Sequence, residues 1–284
     1  MLLYNIMNID LNQLKNNKSF TIIITILTII VIIYMIYSVY NYFKTKSIEQ
    51  PYLIKEPRRA NYILNTNNKS RKSSYLQFKN KTLIKSKVGY NYSYSLWLNI
   101  EDLGYNYNEP KHIFHKGPRN AKYVNPGVWL YPKNNNLMIR IDTHGNKKNM
   151  NPSQNKNLLN PLDNCDIIDI PVQRWVHLVL VLHNKTLDVY LNGKLKRSCT
   201  YDSVPKHNKN PLHITDNGGF NGKLSEFKYY NKALSSNEVY SIYKGGYDAI
   251  SVYDTLSDLK PNINVNVDFS ASVGDNSISA SGSI

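Results

Sequence analysis

The sequence predicts an all-β chain: an antiparallel jelly-roll sandwich with a short C-terminal helix, preceded by one N-terminal transmembrane helix. Three observations predict it. Residues 20–43, FTIIITILTIIVIIYMIYSVYNYF, carry no charge. From about residue 75 to residue 230, short apolar runs recur between Asn, Gly and Pro, the pattern of many short antiparallel strands. A helical period returns only in SSNEVYSIYKGG, at residues 235–246.

The apolar run has 24 residues. At about 1.5 Å per residue it extends roughly 36 Å, enough to cross a bilayer core with some tilt. Phe20 opens it, and Tyr34, Tyr37 and Phe43 belong to an aromatic-rich second half, as expected where a helix meets headgroups. It is longer than a signal-peptide core and no small-x-small site follows it, so a single-pass anchor is expected. Lys15 and Lys18 precede the run, whereas Lys44, Lys46, Lys55, Arg58 and Arg59 follow soon after. The excess of positive charge on that side predicts a C-terminal domain on the cytosolic face. The sequons Asn91-Tyr92-Ser93 and Asn184-Lys185-Thr186 point to the lumen, but a chain with 39 Asn makes sequons by chance.

These signals divide the chain into a short polar N-terminus (1–18), the transmembrane helix (19–43), a basic linker (44–73), the sandwich (74–247) and an acidic, Ser-rich tail (248–284). The linker holds eight Lys/Arg against two Glu, and the tail one Lys against five Asp. Lys44, Lys46, Arg58 and Arg59 read as lipid-facing residues on anionic headgroups. The tail reads as flexible. The net charge is +15, with 23 Tyr and only 6 Ala. Lys, Asn, Ile and Tyr share AT-rich codons, so codon bias accounts for much of this usage. No recognised nucleic-acid-binding fold accompanies the basic stretch, and nucleic acid is not an expected partner.

Within the body, YSYSLWLNI alternates, placing Tyr92, Tyr94, Leu96, Leu98 and Ile100 on one face. HIFHKG ends a short strand at Gly117, and GVWLYP and LMIRID flank Asn134-Asn135-Asn136. WVHLVLVLH, residues 175–183, is apolar on both faces, the mark of a strand covered by two layers. LDVYL and KLKRS flank Asn192-Gly193, a strong hairpin signal. Ser235 to Glu238 fits a capping box, Val239, Ile242 and Tyr243 form one stripe, and Gly245-Gly246 ends the helix. So short a helix is marginal alone and must dock on the sandwich.

The phrases IPVQRWVHLVLVLHNKTLDVYLNGKLKRS and FNGKLSEFKYYNKALSSNEVYSIYKGG resemble the C-terminal half of concanavalin A-like lectin/glucanase domains, in their laminin-G-like and pentraxin-like branch. With SYSLWLNI, IFHKG and NPGVWLYP the resemblance covers residues 75–246. It implies that the last strand and helix cover an edge of the sheets. The wording also resembles membrane-anchored proteins of large nucleocytoplasmic DNA viruses. That resemblance implies a non-enzymatic virion structural protein, a minor capsid or membrane–capsid tethering component between inner membrane and capsid. Its partners would be the lipid bilayer and capsid or other virion proteins. The alternative it implies is a lectin-like attachment protein that binds glycans, with calcium as its one candidate cofactor.

Candidate sites follow from these readings. Glycoside hydrolysis needs paired carboxylates, yet the chain has six Glu and lacks the glucanase branch's E-x-D-x-x-E, so no catalytic residue and no enzyme is expected. The branch's calcium site would draw on clustered loop carboxylates, here Asp163, Asp166 and Asp169, which read more simply as solvated loop residues or turn caps. His112 and His115, three apart on a strand, are expected on opposite faces. Cys165 and Cys199 are the only cysteines. A bridge between them and a pair of buried thiols both remain open, and viruses of the resembling kind carry their own thiol-oxidation machinery. Trp129 and Tyr131 share one strand face beside a Pro/Asn loop and are the candidate exposed sugar-stacking pair.

Overall fold

The computed structural model describes residues 18–61, 63–64, 71–145, 148–159, 165–248, 266–273 and 276–283. Its first element is a helix over Lys18–Glu49, 32 residues with none buried. Among the described residues it is the one helix long and apolar enough to cross a membrane. The strands follow: β1 (Tyr52–Ile54), β2 (Arg58–Arg59), β3 (Ile63–Leu64), β4 (Arg71–Lys72), β5 (Leu76–Phe78), β6 (Asn91–Asp102), β7 (Lys111–Lys116), β8 (Gly127–Leu130), β9 (Leu137–Arg140), β10 (Trp175–His183), β11 (Thr186–Leu191), β12 (Lys194–Thr200), β13 (Leu212–Ile214) and β14 (Asn221–Tyr230). A closing helix, Ser236–Gly245, and a hairpin of β15 (Asn266–Val273) and β16 (Asn276–Ser283) complete the chain.

Two compact units result: residues 44–249, and a second comprising the first 43 residues with residues 250–284. The larger unit is the predicted antiparallel sandwich. One sheet runs β1-β14-β6-β10-β11-β12, with β2 also on β14, and the facing sheet runs β5-β13-β7-β8-β9. Alternation fills the space between them: Tyr94, Leu96, Leu98 and Ile100 of β6 meet Val176, Leu178, Leu180 and Leu182 of β10 and Phe114, Val128 and Ile139 opposite. The other face of β10 is apolar for a second reason. Val179 and Val181, with Tyr190 and Tyr230, lie under Leu234 and Val239 of the closing segment.

The closing helix has the expected cap. Ser235 Oγ accepts from Glu238 N–H at 3.3 Å, and Ser235 N–H donates to Glu238 Oε2 at 2.9 Å. Val239 is fully buried, so the helix seals the outer face of the larger sheet rather than merely ending the chain. The Asn192-Gly193 hairpin also forms, both residues at positive φ (49° and 76°) as a two-residue turn requires.

Two expectations need correcting. The sheet begins at Tyr52, inside the stretch read as a linker: Tyr52 pairs with Lys228, and Arg58 and Arg59 pair with Leu224 and Lys223. Proline and basic side chains concealed this, because an edge strand tolerates both. The tail, read as flexible, contains the hairpin β15–β16, in which Asn266 pairs with Ser283 and Val273 with Asn276.

Candidate functional site

One end of the sandwich is hollow. Tyr92 and Tyr94, two apart at the start of β6, point inward between the sheets, with Tyr90 just before them. Their rings meet edge to face, at 6.4 Å for Tyr90–Tyr92 and 5.4 Å for Tyr92–Tyr94, and Tyr229 of β14 lies 5.2 Å from Tyr94. Above the rings lies a small cleft of about 90 Å³, open to solvent. Four amides, Asn80, Asn91, Asn125 and Asn208, and two lysines, Lys85 and Lys116, share its lining. No carboxylate is among the described residues of that lining.

The polar groups are held in place. Tyr92 donates its hydroxyl to Asn125 Oδ1, and Asn125 Nδ2 donates to Tyr90 Oη at 2.9 Å and to the Lys206 carbonyl at 2.7 Å. Tyr229 donates to the Ile84 carbonyl at 2.9 Å. Lys116 Nζ donates to Asn80 Oδ1 at 2.8 Å and to the carbonyls of Asn208 and Asn210, both at 2.9 Å. Burial, aided by Lys85, pushes the Lys116 ammonium down to about 8. It is a strut for the 208–210 loop, not a free cation. Burial also raises the Tyr90 and Tyr229 hydroxyls, so both stay neutral donors at physiological pH. At the mouth the half-exposed Tyr90 meets the exposed His207 ring at 5.8 Å. Tyr92, Tyr94 and Tyr229 are buried, so Tyr90 is the one ring of the four that offers a face to a sugar's C–H groups, beside preset amides for its hydroxyls.

The residues singled out from sequence lie elsewhere. Trp129 and Tyr131 are each only 4 % exposed, so they form no open stacking pair. The 118–126 and 148–159 segments lie over them, with Val124, Met138 and Leu158 in the same cluster. The Tyr131 hydroxyl donates to Asp166, which is buried against Arg140 and accepts the Ile139 N–H at 3.0 Å. A carboxylate neutralised in this way is not available to a calcium ion. Asp169 is exposed, with φ 55° and its N–H on Asn136 Oδ1 at 3.0 Å, and Asp163 lies outside the described residues. Asp166 and Asp169 therefore do not share a site, and no group of three metal-ligating side chains occurs among the described residues.

Cys165 and Cys199 form a disulfide, Cα atoms 5.9 Å apart, tying the segment before β10 to β12. Arg58 donates to the Ser74 carbonyl at 3.2 Å, and Arg59 pairs with Glu101. Both arginines are thus committed to the sandwich, whereas Lys44 and Lys46 remain on the N-terminal helix. Phe20, Tyr34, Tyr37 and Phe43 all lie in the same helix.

One cluster escaped sequence reasoning. Ile113 and Phe114 both face the core, because β7 bulges between His112 and Phe114. The bulge returns His112 and His115 to the same outer face, their rings 2.7 Å apart from Nε2 to Nδ1. Asp216 N–H donates to His112 Nδ1 at 2.9 Å, so His112 Nε2–H donates to His115, whose own Nε2–H reaches the Pro118 carbonyl at 3.0 Å. His213 stacks on His115 at 4.7 Å, and Trp129 stacks on its other neighbour face at 6.1 Å. Burial holds His115 down to about 4 and His112 well below the usual imidazole value. Nothing in a period-2 reading signals a bulge.

Comparisons with known proteins can now be set beside this geometry. The model of the concanavalin A-like lectin/glucanases superfamily matches residues 70–240. Among curated proteins none matches the chain. Solved structures similar to it include the binding domain of Paraclostridial Mosquitocidal Protein 1, at 14 % identity and TM-score 0.42, covering 66 % of this chain and 47 % of that one. Another is the botulinum neurotoxin serotype D ligand binding domain in complex with N-acetylneuraminic acid, at 18 % identity and TM-score 0.41, covering 67 % and 46 %. The chain spans about half the length of these matched structures. By the family match over most of its sandwich, the chain belongs to the concanavalin A-like lectin/glucanases superfamily.

Proposed function

We propose that this is a non-enzymatic binding module, tethered to a membrane by its N-terminal helix, that takes carbohydrate in the tyrosine–asparagine cleft. The observation that carries the reading is the lining itself: the half-exposed Tyr90 ring and four asparagines around about 90 Å³, with no carboxylate among the described residues. Hydrolysis by the family's route requires two carboxylates flanking the scissile bond, which this lining does not offer. The disulfide supports display in an oxidising compartment, where glycans also occur. That choice departs from the cytosolic orientation expected from the flanking lysines. Calcium is not part of the proposal, since Asp166 is committed to Arg140 and Asp169 is exposed apart from it.

The test is a glycan array probed with the full chain in detergent, with calcium and again with chelator. Binding that is indifferent to chelator and lost in Tyr90→Ala supports the reading. A silent array from protein of unchanged melting temperature sinks it. The basic flank of the apolar run favours a second reading, a virion protein tethering membrane to capsid. Cross-linking of intact particles that joins the sandwich to capsid subunits would support it, and cross-links to other partners alone would remove it.

A further inference from the structure

The hollow end of the sandwich is also the end at which the chain enters it. The N-terminal helix finishes at Glu49 and β1 begins at Tyr52. Glu49 Oε1 takes Lys87 Nζ at 2.7 Å. Glu49, Ser86, Lys87, Val88 and Asn91 share one depression, and Ser86 and Asn91 also line the tyrosine cleft, with Gly89 beside them. Six residues, 44–49, separate the apolar run from that depression. Six residues reach about 9 Å as helix and about 20 Å fully extended. Whichever way the apolar run points, a bilayer holding Phe43 at its surface lies within that distance of Glu49.

The loop at this position has a suitable surface. Val88 is 75 % exposed, more than any other large apolar side chain among the described residues. Exposed Lys85 and Lys87 flank it. The loop is fixed with Val88 outward: Ser86 Oγ accepts the Val88 N–H at 3.1 Å, and Asn91 Nδ2 donates to the Val88 carbonyl at 2.8 Å. An apolar tip between two ammonium groups matches a bilayer interface, with the tip among headgroups and the ammoniums on phosphate oxygens.

We infer that Lys85–Gly89 is a membrane-docking loop that seats the cleft mouth against anionic phospholipid headgroups of the bilayer holding the anchor. The inference rests on the tether reading, and it places the cleft's ligand at the membrane surface. It also gives Lys85 a use that the cleft's own hydrogen bonds do not.

The test uses the full chain carrying Val88→Cys. Cys165 and Cys199 are bridged and no other cysteine exists, so one thiol takes an environment-sensitive dye. The labelled protein is reconstituted in phosphatidylcholine vesicles with or without phosphatidylserine, containing brominated acyl chains as quencher. Met35→Cys in the apolar run and Tyr107→Cys, in the loop beyond the opposite end of β6, are labelled in parallel. The Val88 dye is expected to shift to the blue and be quenched with phosphatidylserine, while the Tyr107 dye stays in water. Lys85→Gln should lower docking about fivefold, and Lys87→Gln by less, because Lys87 is already paired with Glu49. A Val88 dye that matches the Tyr107 dye while the Met35 dye is quenched overturns the inference and leaves the tether standing. An unquenched Met35 dye overturns the tether and the inference with it. Equal Val88 quenching without phosphatidylserine overturns the anionic assignment.

Discussion

Two parts of the sandwich are rich in aromatic and polar side chains, and only one is open. Around Trp129, loops fill the outer face of the smaller sheet, and His112, His115 and His213 are each at most 3 % exposed. Around Tyr90, comparable chemistry surrounds a cleft of about 90 Å³, with Tyr90 itself half-exposed. Composition does not separate the two. What separates them is whether neighbouring segments cover the rings: residues 118–126 and 148–159 lie over Trp129, while Tyr90 stays half-exposed beside the exposed His207, with Lys116 holding the carbonyls of Asn208 and Asn210. The filled face contributes stability, and the open end is free to bind.

If that division is right, damage to the filled region should appear as lost stability. Asp166→Ala leaves Arg140 charged and buried without its partner, which should cost about 3–5 kcal/mol, and thermal denaturation would read it as a large drop in melting temperature. Reducing the Cys165–Cys199 bridge opens a loop of 34 residues and should cost roughly 3–4 kcal/mol. A reductant that leaves the melting temperature unchanged would contradict the bridge.

Acid should act on the filled face next. The folded-state His115 titrates near 4 against an ordinary 6.5, so below about pH 6.5 the unfolded chain binds the extra proton. Stability is therefore full above pH 6.5 and falls between pH 6.5 and 4, by on the order of 3 kcal/mol. His112, depressed by the same burial, adds in the same direction, while Asp216 opposes it at His115. A His115→Gln variant should show a flatter profile across that window. Among these changes the smallest should be Ser235→Ala, which removes the closing helix's cap at about 1 kcal/mol, with no effect on ligand.

Much of the fold was legible because its signals are local. Asn192-Gly193 dictates its turn, Ser235 and Glu238 dictate their cap, and the unbroken apolar run at 178–182 required cover on both faces, the outer of which the closing helix provides. Strand β2 was hidden because Arg58 and Arg59 read as a basic linker until β14 pairs with them. The site was legible only in part. Tyr92 and Tyr94 were correctly placed on one face, but the cleft above them depends on Asn125, Lys116 and Asn208, residues remote in sequence and joined only by the fold. Trp129 misled for the converse reason, since the segments that cover it carry no motif announcing that they fold back.

The account's central claim is that ligand enters the open end and not the tryptophan face. Titrating Tyr90→Ala and Trp129→Phe, both as full chain, with the best glycan from the array tests it most directly. The account predicts that Tyr90→Ala loses binding at little cost in melting temperature, while Trp129→Phe loses stability and keeps its affinity. Retained affinity in Tyr90→Ala, or affinity lost in a folded Trp129→Phe, would contradict it.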